Sequence, residues 1–299
     1  MPFLYAKTEY RGEDCIEITG STSETRSLTI PDTIEEMPVR SIGRHAFAAR
    51  NDLQEISLPP TMKRLCRFAF HNCRNLRKIR LYDSVEDYYD GAVRQCGALS
   101  EIELVTDGSS FALMKEMLEG CDHAVSFYLR MPSEDIRLSF PEFALIASEN
   151  TMARTIQFAY EGGGYAYRQC VRKKEIRFRE YDRLFPFMEH DDPSFAAVIA
   201  ADRLLYPHDL DAAAEERYTA FLRAHAAEAL DRFIRDSKID QVRLITQRGL
   251  ADEEAVSRAL EAASLRKETA ICAVLMESGR QLRETKGGPR SSALELDDW

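Results

Sequence analysis

The feature that most limits the fold of this chain is a 23-residue period in its first part. One column of equivalent positions holds Leu53, Leu76 and Leu99. Further columns keep the same spacing: Ile56, Ile79 and Ile102; Leu58, Leu81 and Leu104; Ala46, Ala69 and Ala92; Cys73 and Cys96. A unit of this length cannot bury its own apolar face, so successive units must stack and share one core.

Each unit contains a short alternating stretch such as Glu55-Ile56-Ser57-Leu58. In a strand, the two aliphatic side chains point to one face and the two polar side chains to the other. Stacked units then place Ile56, Ile79 and Ile102 above one another inside the molecule. The period therefore predicts a solenoid with a parallel sheet that is buried on one face.

These repeats resemble the BspA type of bacterial leucine-rich repeat over residues of about 27–131. The resemblance rests on the segments Ile42-Gly43-Arg44-His45-Ala46-Phe47, Leu53-Gln54-Glu55-Ile56-Ser57-Leu58-Pro59 and Phe68-Ala69-Phe70-His71-Asn72-Cys73-Arg74-Asn75-Leu76. It implies a right-handed solenoid that binds proteins and does not catalyse a reaction. Many relatives are secreted or exposed at the cell surface. This chain begins with an apolar stretch too short for a secretory signal, so we expect a cytoplasmic location.

The outward side chains of successive strands form a candidate partner-binding face. They are Glu55 and Ser57, then Lys78 and Arg80, then Glu101 and Glu103. In a parallel sheet this order places Lys78 between Glu55 and Glu101, with Arg80 beside Glu103. Two interpretations stay open: a charged surface that binds a protein, or a cross-strand charge ladder that keeps an exposed sheet in water.

After residue 131 the period ends, and residues 132–192 read as a small antiparallel β cap. The predicted strands are Asp135–Phe140, Thr155–Tyr160, Gly164–Arg168 and Glu175–Phe178, with a hairpin turn at Glu161–Gly164. Basic side chains cluster here: Arg168, Arg172, Lys173, Lys174 and Arg177. They are either a patch for an anion or an acidic partner, or a solvated strand face.

From Pro193 to about residue 283 the apolar period becomes helical. A second self-similarity, with an offset of 30 residues, covers about 225–282: Ala226, Leu230, Val242, Leu244 and Ile245 correspond to Val256, Leu260, Cys272, Val274 and Leu275. This pattern resembles two degenerate ankyrin-like repeats, although HEAT-like packing would give a similar pattern. The resemblance again implies protein binding.

Residues 284–299 read as a flexible acidic tail. The tail carries the only tryptophan of the chain, Trp299, together with Leu294 and Leu296. These side chains are either part of a frayed end or a short motif that docks through an aromatic anchor.

Composition limits the partners. The chain has 40 Lys and Arg residues and 50 Asp and Glu residues, which gives a formal charge of −10. This charge disfavours binding to nucleic acid. No apolar run reaches the length of about 18 residues needed to insert into a membrane. The seven cysteines are odd in number and form no C-x-x-C pair, so we expect reduced thiols, no metal and no cofactor.

No catalytic motif is present, and we therefore predict no enzyme activity. The predicted fold is α+β: a short right-handed leucine-rich-repeat solenoid over 1–131, the β cap and a C-terminal α-helical domain. The predicted function is a non-catalytic scaffold for an unidentified protein. The alternative is an enzyme or small-ligand protein with a site between the middle sheet and the helices, drawing on Cys170, Asp182 or His190.

Overall fold

The structure is a computed structural model that describes residues 2–89, 91–150 and 155–286. The chain forms two compact units: Met1–Pro193 with Tyr206–Asp211, and Ser194–Leu205 with Ala212–Trp299. The first unit contains all the strands of the described residues. The second unit is built from helices. No helix among the described residues is both long and apolar enough to cross a bilayer.

The strands of the first unit are β1 (Phe3–Tyr10), β2 (Glu13–Ser21), β3 (Ser27–Thr29), β4 (Thr33–Ile34), β5 (Met37–Ile42), β6 (Glu55–Ser57), β7 (Arg64–Leu65), β8 (Lys78–Tyr82), β9 (Asp87–Tyr88), β10 (Glu101–Val105), β11 (Val125–Arg130), β12 (Asp135–Phe140), β13 (Ala144–Asn150) and β14 (Thr155–Glu161). The helices of the chain are α1 (Ala112–Glu119), α2 (Gly164–Gln169), α3 (Phe178–Arg183), α4 (Phe185–Asp191), α5 (Pro193–Leu205), α6 (Ala212–Ala224), α7 (Ala226–Arg235), α8 (Ile239–Gln247), α9 (Glu253–Leu265) and α10 (Thr269–Lys286).

The main sheet of the first unit, called here the repeat sheet, has the strand order β12-β11-β10-β8-β6-β3. Its strands from β3 to β11 are parallel, and the register aligns Ile56, Ile79, Ile102 and Phe127. All four side chains are at most 2% exposed. Burying each of them contributes about 1.5–3 kcal/mol. The predicted solenoid with a parallel sheet is confirmed.

A second sheet, ordered β1-β2-β5-β7-β9, begins with an antiparallel hairpin that the period does not reveal. Its turn is Arg11-Gly12, and both residues have positive φ values of 53° and 85°. That geometry suits a two-residue hairpin. Strand β2 then pairs with β5, and Ile16 and Ile18 are fully buried. The hairpin therefore covers the N-terminal end of the stacked core.

Arg50 and Asp52 tie one repeat turn to the preceding segment. The Arg50 guanidinium donates to the Ser23 carbonyl oxygen and to the Asp52 carboxylate, both at 2.7 Å. The Thr25 N–H also donates to this carboxylate, at 3.0 Å. These hydrogen bonds lower the pKa of Asp52 to about 2, and the hydrogen bond from Arg50 is the largest cause.

Asp52→Asn is expected to lower the free energy of unfolding by about 1 kcal/mol at pH 7, a value reduced by solvent screening. The unfolded carboxyl group has the higher pKa, about 3.9. The stabilisation is therefore complete above that pKa and is lost as the pH falls toward 2. Urea unfolding across this range measures it. Equal acid sensitivity of the wild type and the variant would contradict the assignment.

At its C-terminal end the repeat sheet closes with β12, which pairs antiparallel with β11. The hydroxyl group of Tyr181, on α3, donates to the Ser139 carbonyl oxygen at 2.5 Å and accepts from the Ser139 N–H at 3.2 Å. Both backbone groups point away from β11. The tyrosine thus takes the hydrogen bonds that a further strand would make at Ser139.

The middle segment differs from the predicted β cap. Residues 164–168 form part of α2 and not the predicted strand, and near Ile176 there is only a single bridge to Val171 before α3 begins at Phe178. The predicted hairpin turn at 161–164 instead leads from β14 into a helix. Strands β13 and β14 pair only with each other among the described residues. The cap is therefore one strand of the repeat sheet, a separate hairpin and short helices.

The second unit contains two helix pairs, α7 with α8 and α9 with α10. The first helix of each pair ends in a left-handed residue, Ser237 (φ 54°) or Lys267 (φ 61°), 30 positions apart. The next amides, of Lys238 and Glu268, each donate to the carbonyl oxygen five residues earlier. These helix ends are Schellman motifs with the spacing of the sequence repeat. The predicted helical domain is confirmed, and its ankyrin-like class stays a prediction.

Candidate interaction surface of the solenoid

The six predicted face residues lie in two rows across three neighbouring strands. Glu55, Lys78 and Glu101 form one row, and Ser57, Arg80 and Glu103 form the other. The rows follow from the parallel register, because equivalent positions of successive strands lie side by side. We call this surface the outer strand face. The structure gives the predicted order of charges.

Glu103 is the centre of the charges on this face. It is only 8% exposed, and its carboxylate lies 3.0 Å from Lys78 Nζ, 3.6 Å from Arg80 Nε and 3.5 Å from Arg130 Nε. Lys78 also reaches Glu101 at 2.9 Å. Burial disfavours the charged lysine, but hydrogen bonds to the two carboxylates outweigh this effect and raise its pKa. Lys78 therefore stays charged and fixed in position.

The outer strand face continues onto β11 and β12 through residues outside the six predicted ones. The Arg130 guanidinium lies 3.9 Å from the centre of the Tyr128 ring and pairs with Asp135. The Tyr128 hydroxyl donates to Asp135 at 3.0 Å, and Arg137 lies 3.5 Å from Glu101. Tyr128 and Arg130 could have been found by extending the face positions into the last, degenerate repeat.

This arrangement presents charges of both signs at fixed positions on an open sheet. Six strands about 4.8 Å apart give a surface about 24 Å wide. A charged partner surface can pair with such a pattern, and each contact requires little new ordering because the side chains already hold one another. The geometry suits recognition of a protein surface.

The prediction that Arg168 belongs to the basic patch is wrong, because this side chain is buried. The residue is 5% exposed, and its guanidinium group donates to backbone carbonyl oxygens of four residues: Cys121 (3.0 Å), His123 (2.7 Å), Gly164 (2.9 Å) and Pro141. Burial lowers the pKa of Arg168 to about 10. Its physical role is to join α2 to the chain after α1 and to the end of β12.

The other four residues of that patch are at least partly exposed. Arg172, Lys173 and Lys174 are exposed, whereas Arg177 lies 3.0 Å from Glu175 and 2.8 Å from Glu180. The patch is thus smaller than predicted, and its binding role stays a prediction. The predicted tail motif of Leu294, Leu296 and Trp299 lies outside the described residues.

Cys170, one of the candidate catalytic residues, lacks the activation that a nucleophilic thiol needs. Burial raises the pKa of Cys170 to about 12, so its thiol is protonated and a poor nucleophile at neutral pH. Cys73 and Cys96 donate to the carbonyl oxygens of Phe47 and Phe70 at 2.9 and 3.0 Å, as buried members of one internal column. No group of three or more potential metal-ligating side chains occurs in the described part of the chain.

Short repeats that stack on a shared parallel sheet form a solenoid, and leucine-rich repeats are one family of this kind. Residues 21–137 match the BspA type leucine rich repeat region in six copies. This part of the chain is therefore a BspA-type leucine-rich repeat region, as the sequence predicted, with slightly wider limits. No curated protein matches the chain.

Three solved structures are similar to part of the chain. A leucine-rich repeat protein from Bacteroides ovatus ATCC 8483 is 26% identical over 36% of this chain and 31% of that chain, with a TM-score of 0.28. The T. pallidum leucine rich repeat protein is 21% identical over 34% of this chain and 69% of that chain, with a TM-score of 0.24. A leucine rich cell surface protein from Faecalibacterium prausnitzii A2-165 is 21% identical over 38% of this chain and 33% of that chain, with a TM-score of 0.28.

Proposed function

We propose that this chain is a non-catalytic scaffold that binds a protein partner through the outer strand face. The observation that carries the proposal is the network around Glu103 of β10, which fixes Lys78 and Arg80 of β8 on one side and Arg130 of β11 on the other. The repeat family supports the same class of function, because leucine-rich repeats generally bind proteins and do not catalyse reactions.

The partner surface is expected to contain carboxylates. The Arg80 side chain is 46% exposed and, among the residues that the structure describes, forms one ion pair, at 3.6 Å, so much of its guanidinium group is available. The Arg130 side chain is 42% exposed beside the Tyr128 ring. Arginine next to an aromatic ring is a combination enriched at protein interfaces.

Photo-crosslinking from the outer strand face tests this function. A photoreactive phenylalanine derivative placed at Ser57, whose row neighbour is Arg80, is expected to crosslink one predominant protein in the native host. The same group at Ser257, an exposed position on α9, is the matched control and is expected not to capture that protein. Equal crosslinking from both positions, or none from Ser57, would count against the proposed face.

A further inference from the structure

A cavity of about 420 Å³ lies in the middle segment of the first unit, and the proposed function does not use it. Its walls come from α1, from the base of the β13–β14 hairpin and from α2. We call it the hairpin cavity. Its volume is in the range of small-molecule sites, which measure about 300–1,000 Å³.

The apolar wall of the hairpin cavity is mostly aromatic. Leu145 and Tyr160 are directly paired residues of the hairpin, so their side chains share one face. The Tyr160 ring stacks on the Tyr165 ring with the centres 3.6 Å apart, and Phe143 meets Tyr165 edge-on at 5.9 Å. Leu145 is 54% exposed and Tyr160 is 48% exposed. Large apolar side chains that stay exposed beside a cavity are typical of a ligand-binding groove.

The charged side chains that line the hairpin cavity sum to one positive charge. They are Lys115, Glu119 and Arg168. Lys115 and Glu119 lie 3.3 Å apart and neutralise each other. The buried guanidinium group of Arg168 donates to four backbone carbonyl oxygens and forms no ion pair with another described residue. It also lies 4.8 Å from the centre of the Phe143 ring, so its charge is beside the aromatic wall.

Other carboxylates near the hairpin line a different cavity. Ala144 pairs with Glu161, one position from the pair of Leu145 and Tyr160, so the Glu161 side chain points to the opposite face of the hairpin. Glu161, Glu142 and Asp122 line a cavity of about 640 Å³ that shares Phe143 with the hairpin cavity. Asp122 favours the charged form of Arg168, but burial outweighs this effect and lowers the pKa of Arg168 to about 10. Arg168 is therefore still a cation at neutral pH.

A small aromatic carboxylate fits these features. Its ring can pack against Tyr160 and Leu145, and its carboxylate can compensate the net charge of Arg168, which carbonyl dipoles stabilise but do not neutralise. Charges interact more strongly beside a buried group than in water. We propose that the hairpin cavity binds a small organic acid with an aromatic body, held by the aromatic wall and by the positive charges of Arg168 and Lys115.

Titration calorimetry of the full chain with 2-naphthoate tests the proposal, and the neutral 2-naphthamide is the matched probe. The dissociation constant is expected to be at least about tenfold lower for the carboxylate than for the amide. High salt should reduce this difference, because the ends of the cavity wall are exposed to solvent. Equal affinities would indicate a purely apolar occupant and overturn the proposal, as would the absence of 2-naphthoate binding at millimolar concentration.

Substitutions in the cavity wall locate the site. Tyr160→Ala is expected to weaken 2-naphthoate binding at least about fivefold. Tyr89→Ala, the matched control, changes a tyrosine that is 40% exposed outside the cavity and is expected to have no effect. An equal loss in these two variants, each checked for folding by circular dichroism, would overturn the proposal.

The charges of the cavity give a test with opposite signs. Lys115→Met is expected to weaken 2-naphthoate binding about two- to threefold, and Glu119→Gln is expected to strengthen it by a similar factor. A loss of folding would weaken binding in both variants, so it cannot produce this pair of results. Changes in the same direction, or no change in either variant, would contradict an anion site.

Discussion

Arg168→Met is expected to lower the free energy of unfolding by about 3–5 kcal/mol, because it removes a buried cation from carbonyl oxygens that have been withdrawn from water. The methionine side chain has a similar length but no donor. Carbonyl groups from three separate segments, near Cys121, Pro141 and Gly164, would lose the guanidinium that holds them together. A loss of this size is a large share of the roughly 5–15 kcal/mol that stabilises typical proteins.

Urea unfolding followed by circular dichroism and tyrosine fluorescence measures this effect. Arg172→Met is the matched control, since Arg172 lies four positions away on an exposed site and is expected to change stability by less than about 0.5 kcal/mol. Arg168→Lys is expected to lie between wild type and Arg168→Met, because one ammonium group cannot reach all four carbonyl oxygens. Similar stabilities for Arg168→Met and Arg172→Met would show that Arg168 does not join these segments.

Arg168 also illustrates what the sequence could not predict. In the sequence, this residue begins a run of basic side chains, and such runs usually lie in solvent. Its burial depends on carbonyl groups contributed by residues up to 47 positions away. No local pattern records that convergence. The same holds for the secondary structure of this segment. The alternation of Tyr165 and Tyr167 in the sequence indicates a strand, but the tertiary contacts of the buried Tyr167 and Arg168 favour the helix α2.

The repeat sheet, in contrast, is predictable in detail. A fixed spacing of 23 residues determines which side chains stack, and alternation within each strand determines which of them point outward. The spacing alone therefore predicts that Lys78 and Glu101 lie side by side, and their strands pair in that register.

Lys78→Met/Arg80→Met is expected to weaken partner binding at least about tenfold, corresponding to about 1.4 kcal/mol. The substitution removes two cations of the outer strand face and keeps much of their apolar length. It is expected to preserve the fold, because Glu101 retains Arg137 and Glu103 retains Arg130. Charge reversal at Lys78 would instead place a new carboxylate beside two others. The neutral variant therefore separates binding from stability.

The most direct test is the dissociation constant of the protein crosslinked from Ser57, measured with wild type, Lys78→Met/Arg80→Met and the control Arg266→Met/Lys267→Met, which changes two exposed cations just after α9. The outer strand face predicts that only the first variant loses affinity, by at least about tenfold, and that the loss becomes smaller at high salt. Unchanged affinity of Lys78→Met/Arg80→Met, or an equal loss in the control, would contradict binding through this face.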